Sequence, residues 1–160
     1  MLVCPGPTTD PPSKFSFFNK RGLHIIHLNV RSLLPKIDEV RLIAKQSNAA
    51  CMCLSETWLD DSVFDTEISI NNYSITRKDR SRHGGGVCMY IRNDIAFNTR
   101  SDLDHEELEA TFVDILLPKT KPLLCGVFYR PPKQQNFYEV LESVLLSCST
   151  FNLQKIYIFR

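Results

Sequence analysis

Three polar side chains sit where apolar, strand-like runs give out. Glu56 closes the run CMCLSETW (51–58), Asn29 lies near the end of LHIIHLNV (23–30), and Tyr129 ends LLCGVFY (123–129) just ahead of Arg130-Pro131-Pro132. A carboxylate at the rim of a core is costly unless something positive meets it there. Glu56 is therefore either a solvated residue just past a strand or a ligand for a cation. Asn29, ahead of RSLLPK, suits a turn or a helix cap as well as a site residue. Tyr129 suits the edge of a core, with its ring packed and its hydroxyl in water.

Positive charge is densest at Arg77, Lys78, Arg80, Arg82 and His83. Such a cluster can contact nucleic-acid phosphates or simply solvate a hairpin. Gly84-Gly85-Gly86 follows and precedes a strand, not a helix, so a phosphate cradle of the P-loop or dinucleotide kind is excluded. The three glycines instead permit a tight turn. His24, His27, His83 and His105 show no metal-ligand spacing, and His24 and His27, three apart on a strand, point to opposite faces.

The elements that must position these residues follow from periodicity. LHIIHLNV reads as a buried strand, and Pro35 marks a helix start. Ile37, Val40, Leu42, Ile43 and Ala44 make an amphipathic helix ending near Ser47 or Asn48, and CMCL is the next strand. Strand, helix and strand in about thirty residues form a βαβ-like unit, which favours an α/β class. Turn-linked strands then follow at 73–77, 86–92, 110–117 and 123–129, as in antiparallel hairpins. FYEVLESVLLSC (137–148) is a second amphipathic helix, and KIYIF a last strand. Residues 1–21, with Pro5, Pro7, Pro11 and Pro12, read as a loose leader.

Bulk properties narrow the class. At 160 residues the chain suits one domain or part of one, and 43% hydrophobic residues allow a packed core. With 19 Lys and Arg against 18 Asp and Glu, no global charge draws it to nucleic acid or a membrane. No run approaches the ~18 apolar residues of a membrane helix, and no secretory signal opens the sequence. Cys4, Cys51, Cys53, Cys88, Cys125 and Cys148 form no C-x-x-C pair, and four lie in apolar runs. They read as reduced, buried thiols of an intracellular protein, nuclear or cytoplasmic.

Four segments, HLNVRSL (27–33), LSETWL (54–59), DRSRHGGGVCMYIR (79–92) and VFYRPP (127–132), together resemble the endonuclease domain of LINE-type (non-LTR) retrotransposons, especially the vertebrate chicken-repeat and related clades. That domain belongs to the endonuclease/exonuclease/phosphatase superfamily, with the apurinic DNA-repair endonucleases. The likeness runs from about Gly22 to Phe159. It implies a four-layer α/β sandwich, present here in part, with the C-terminal half absent. It implies a Mg²⁺-dependent phosphodiesterase that nicks DNA by in-line attack of water. Asn29 matches the asparagine that orients metal and nucleophile, Glu56 the metal-ligating glutamate, and Tyr129 the tyrosine near the scissile phosphate. Arg80, Arg82 and Arg130 become the candidate phosphate contacts. One carboxylate with an amide oxygen suits a hard cation that keeps several waters.

In the complete family domain the strand matching KIYIF runs into a Gly-Asp-Phe-Asn motif, and a later Asp-His pair completes the phosphate site. Neither motif occurs in this sequence. The resemblance therefore implies weak or absent metal binding, no significant cleavage by this chain alone, and exposed apolar strand edges open to a protein partner. The alternative is a domesticated, non-enzymatic fragment that binds nucleic acid or protein.

Overall fold

The computed structural model describes residues 22–148 and 156–159; residues 1–21, read above as a leader, the segment 149–155 and Arg160 lie outside them. β1 (Ile25–Asn29) and β2 (Cys51–Ser55) run parallel, in register from Ile25 opposite Cys51 to Asn29 opposite Ser55. Their connection begins with a 3₁₀ turn at Leu34–Lys36, where Pro35 needs no donor hydrogen, and continues as α1 (Ile37–Ser47). Ile37, Val40, Ala44 and Ser47 form its buried stripe. Asn48 stops the helix in the left-handed conformation (φ +47°), and its N–H bonds the Ala44 carbonyl at 3.0 Å.

β3 (Tyr73–Lys78) and β4 (Val87–Arg92) pair antiparallel and complete a sheet ordered β1-β2-β4-β3. The second sheet is β5 (Ala96–Thr99), β6 (Glu109–Leu116), β7 (Leu123–Tyr129) and β8 (Ile156–Phe159), in that order, with β7 and β8 parallel. α2 (Phe137–Cys148) packs Phe137, Val140, Leu141 and Val144 on its outer face, against Phe112, Leu124 and Phe128. Phe112 lies opposite Gly126 in register. A Cβ at Gly126 would stand 2.4 Å from the Phe112 ring, so the ring occupies the space that glycine leaves.

Alternation along β2 builds two cores at once. Met52 and Leu54 join Val40, Ala44 and Tyr90 under α1, while Cys51 and Cys53 face Met89, Val113, Cys125 and Val127 between the sheets. Every residue of β2 is therefore buried. The layers run α1, first sheet, second sheet, α2: the α/β class read from the residues, in the partial four-layer sandwich that the resemblance implied. The one unanticipated strand among the described residues is β5, whose AFNT sequence is mostly exposed and carries no apolar alternation. Cys51, Cys53, Cys88 and Cys125 are free and buried, as expected. No described helix is long and apolar enough to cross a membrane.

The edges of the first sheet differ. β3 carries half-buried polar side chains at Ser74, Thr76, Arg77 and Lys78, which discourage edge-to-edge pairing. β1 offers half-buried Ile25, Ile26 and Leu28 instead. β2 faces β7 and β3 faces β6, so β1 and β8 end the two sheets on the same side of the sandwich among the described residues.

Candidate active site

Beyond Ser55 the chain leaves extended geometry sharply: Glu56 and Trp58 both take left-handed backbone conformations, at φ +60° and +55°. For non-glycine residues this costs about 1–3 kcal/mol each, and it persists only where the surroundings enforce it. Here both flanks do. The amides of Ser32 and Leu33 donate to the Glu56 and Thr57 carbonyls at 2.8 and 2.9 Å. On the other flank the Thr57 and Trp58 amides donate to Gly86 and Gly85 at 3.2 and 3.0 Å. The Glu56 turn is thus held between the loop after β1 and the glycines before β4.

Glu56 is not a freely solvated side chain. Its Oε2 accepts the Trp58 indole N–H at 2.6 Å and the Gly85 amide at 3.2 Å, and the Tyr129 hydroxyl also bonds its carboxylate. Burial pushes its pKa upward, but these three donors and the nearby Arg31 charge outweigh it, so the net shift is downward. Tyr129 moves the other way: burial and the Glu56 carboxylate raise its pKa and keep it a hydroxyl donor.

A second carboxylate stands beside the first. Glu109, opposite Tyr129 in register, accepts the Gly86 amide at 3.0 Å and pairs with Arg80 at 3.0 Å. Gly85 and Gly86 (φ +73° and +79°) must be glycines for this approach. A Cβ on Gly85 would lie 2.4 Å from Glu109 Oε2, and one on Gly86 2.5 Å from Thr57 Oγ1. The glycines therefore do more than turn the chain, since their amides bind two carboxylates.

Asn29, Glu56 and Tyr129, called for by the sequence, all line one open cleft of about 490 Å³, with Arg31, Trp58, His83 and Gly84. Asn29 caps no helix: the N-cap of the 3₁₀ turn is Leu33, with no side-chain cap, and Asn29 is exposed at the strand end. Glu56 with the Asn29 amide oxygen can hold a hard cation, and Arg31 and His83 add groups suited to an anion. A larger groove of about 650 Å³ at Arg41, Lys45 and Arg92 is lined by no carboxylate.

The candidate nucleic-acid arginines do not converge. Arg80 adjoins the cleft through Glu109, Arg82 reaches Ser62 Oγ at 3.4 Å, and Arg130 lies 4.8 Å over the Tyr138 ring on the α2 side. Much of the basic cluster is committed internally. Arg77 pairs with Asp65 and Asp79 at 3.2 and 3.5 Å, and Lys78 donates to the His105 carbonyl at 2.7 Å. Sequence reasoning missed Arg31, Trp58 and Glu109. Trp58 stood in the quoted LSETWL segment, two residues past Glu56, where extended geometry would aim both to one side. Glu109 left no local signal, because its role depends on the β6–β7 register.

Two face-to-face sheets between helices, with polar side chains gathered at strand ends, are a fold that this chain shares with solved structures of the endonuclease/exonuclease/phosphatase kind. The endonuclease domain of TRAS1, a telomere-specific non-LTR retrotransposon, superposes with a TM-score of 0.62 at 11% identity, over 84% of this chain and 57% of that one. NExo, a 3′ phosphatase from Neisseria solved with a product DNA hairpin, gives 0.62 at 15%, over 86% and 56%. An AP endonuclease from Archaeoglobus fulgidus gives 0.52 at 16%, over 83% and 53%. The chain thus spans a little over half the length of these structures. No family model matches the sequence, and no curated protein matches it.

Proposed function

We propose that residues 22–160 are the N-terminal part of a Mg²⁺-dependent phosphodiesterase domain of the retrotransposon endonuclease type, whose complete form nicks DNA. The observation that carries this reading is the convergence of Asn29, Glu56 and Tyr129 on one cleft, with Glu56 held ionised by three donors. Glu56 and Asn29 would hold the cation, which would polarise a phosphate oxygen. Tyr129 and Arg31 would orient the phosphate, and Arg80 and Arg82 would meet the flanking DNA backbone. Arg130, turned toward Tyr138, would follow the backbone further out.

On this reading the 160 residues alone do not catalyse. Glu56 is the one carboxylate lining the cleft among the described residues, and a bound cation together with its three donors would commit it. In-line hydrolysis also needs a base for the water and a donor for the leaving oxygen. The half-buried apolar edge at β1, on the same side as β8, is where further strands of such a domain would add.

Two measurements test this. Incubated with supercoiled plasmid and Mg²⁺, the 160-residue chain is expected to give no cleavage above the Glu56→Ala control. Glu56-dependent nicking would defeat the claim of inactivity. The coding sequence after codon 160 is expected to carry a Gly-Asp-Phe-Asn-like continuation, in or out of frame. A chain restored with it should nick DNA and lose roughly 100-fold or more on Glu56→Ala. Salt-dependent DNA binding untouched by Glu56→Ala, with no such continuation, would favour the non-enzymatic binding fragment instead.

A further inference from the structure

Midway through the inter-sheet layer, three sulfurs meet. Cys51 and Cys53 alternate on the inner face of β2, and Cys125 comes from β7 across the interface. Their Sγ atoms all lie within 4.8 Å of one another, with Cys51 and Cys53 Sγ 3.8 Å apart, and all three residues are fully buried. The Glu56 cleft uses none of them.

Three thiolates around a metal ion at ~2.3 Å stand about 4 Å from one another. The cluster therefore already has the spacing of a trigonal sulfur site, and small rotations about the Cα–Cβ bonds would close it. Its surroundings select the ion. Val87, Ile91, Val113, Ile115 and Val127 fill the same layer, and Met89, opposite Cys53 in register, adds only a soft thioether. His27, opposite Cys53 on β1, has its Nε2 3.2 Å from Ser55 Oγ and lies outside the three-sulfur group.

We propose that Cys51, Cys53 and Cys125 form a three-sulfur site for a soft monovalent d¹⁰ cation, Cu(I). Soft sulfur ligands select such ions over Mg²⁺ or Ca²⁺. Zn²⁺ prefers a fourth ligand, and among the described residues neither ring nitrogen of His27 joins the three-sulfur group. The choice of ion therefore rests on coordination number, three sulfurs and, among those residues, no fourth group, and each Sγ that binds as a thiolate releases its proton as the ion enters. Because the sulfurs are closed off from solvent, the ion enters as the sheets open or first pack together, so binding also stabilises the sandwich.

The test uses the 160-residue chain, with Cys4, Cys88 and Cys148 changed to Ser to remove the other thiols. It is refolded anaerobically with Cu(I) and titrated against a chromogenic Cu(I) chelator. One equivalent per chain is expected, with X-ray absorption showing three sulfur neighbours and a raised melting temperature. Cys125→Ser is expected to weaken retention roughly tenfold or more, and Cys51→Ser and Cys53→Ser likewise. Since a serine in this layer can impair folding, the unsubstituted chain is titrated in parallel, and its X-ray absorption must show the same three-sulfur shell. Loss of the ion to the chelator at one equivalent, a two-sulfur shell, tighter retention of Zn²⁺ than Cu(I), or a disulfide between any two of Cys51, Cys53 and Cys125 in place of binding would each overturn the proposal.

Discussion

β2 and β7 each carry two opposite environments a few residues apart. Along β2, Cys53 faces valines and a methionine between the sheets, while three positions on Glu56 meets amide, indole and phenol donors. Along β7 the same change separates Cys125 from Tyr129. The middle of the layer is dry and holds soft sulfur; its end is open and holds hard oxygen. Shared strands teach that position along the sandwich, not membership of an element, sets the chemistry. A charge is expensive where two sheets exclude water, and is sustained where strands end and backbone amides become available.

The most severe way to probe this contrast is to move a carboxylate from the end to the middle. Cys125→Asp places an acid among Val113, Val127 and Cys51 and should destabilise the fold by about 4 kcal/mol or more, read from urea unfolding midpoints. A loss below ~1 kcal/mol would show that water reaches the layer. Next in size is Gly86→Ala at the open end. Its left-handed backbone and the close Thr57 hydroxyl predict a loss of about 2 kcal/mol by thermal denaturation.

The smallest effect concerns the Glu56 charge. Its folded pKa lies below the ordinary 4.5, so ionised Glu56 contributes stability at pH above that value. The contribution fades as pH falls and is gone below the lowered folded pKa. Glu56→Gln should therefore differ from the parent at neutral pH and converge with it in acid. Trp58→Phe removes the 2.6 Å indole donor and should move the Glu56 titration upward, visible in the NMR shift of its carboxyl carbon. An unmoved titration would mean that the indole does not hold the carboxylate.

Several elements were legible in the chain itself. The βαβ unit, the two amphipathic helices and most strands followed from 3.6- and 2-residue periodicity, because each buries one face or, like β2, both. That Asn29, Glu56 and Tyr129 stand where strands end was legible too, since polar side chains closing apolar runs mark those ends; that they line one cleft was not. β5 was not, as a short exposed edge strand has no burial pattern to show. Nor were the commitments of Arg77 to Asp65 and Asp79, which turn an apparent surface patch into internal pairing.

The order of apolar and polar residues by itself determined which segments become strands and helices, and which ends carry oxygen donors, because such patterns are local. Only the tertiary structure decided that Glu109 and Arg80 brace the glycine turn beside Glu56. It alone decided that a cysteine from β7 meets two from β2. Those meetings join residues dozens of positions apart, through strand register and the facing of two sheets, and no local spacing encodes them.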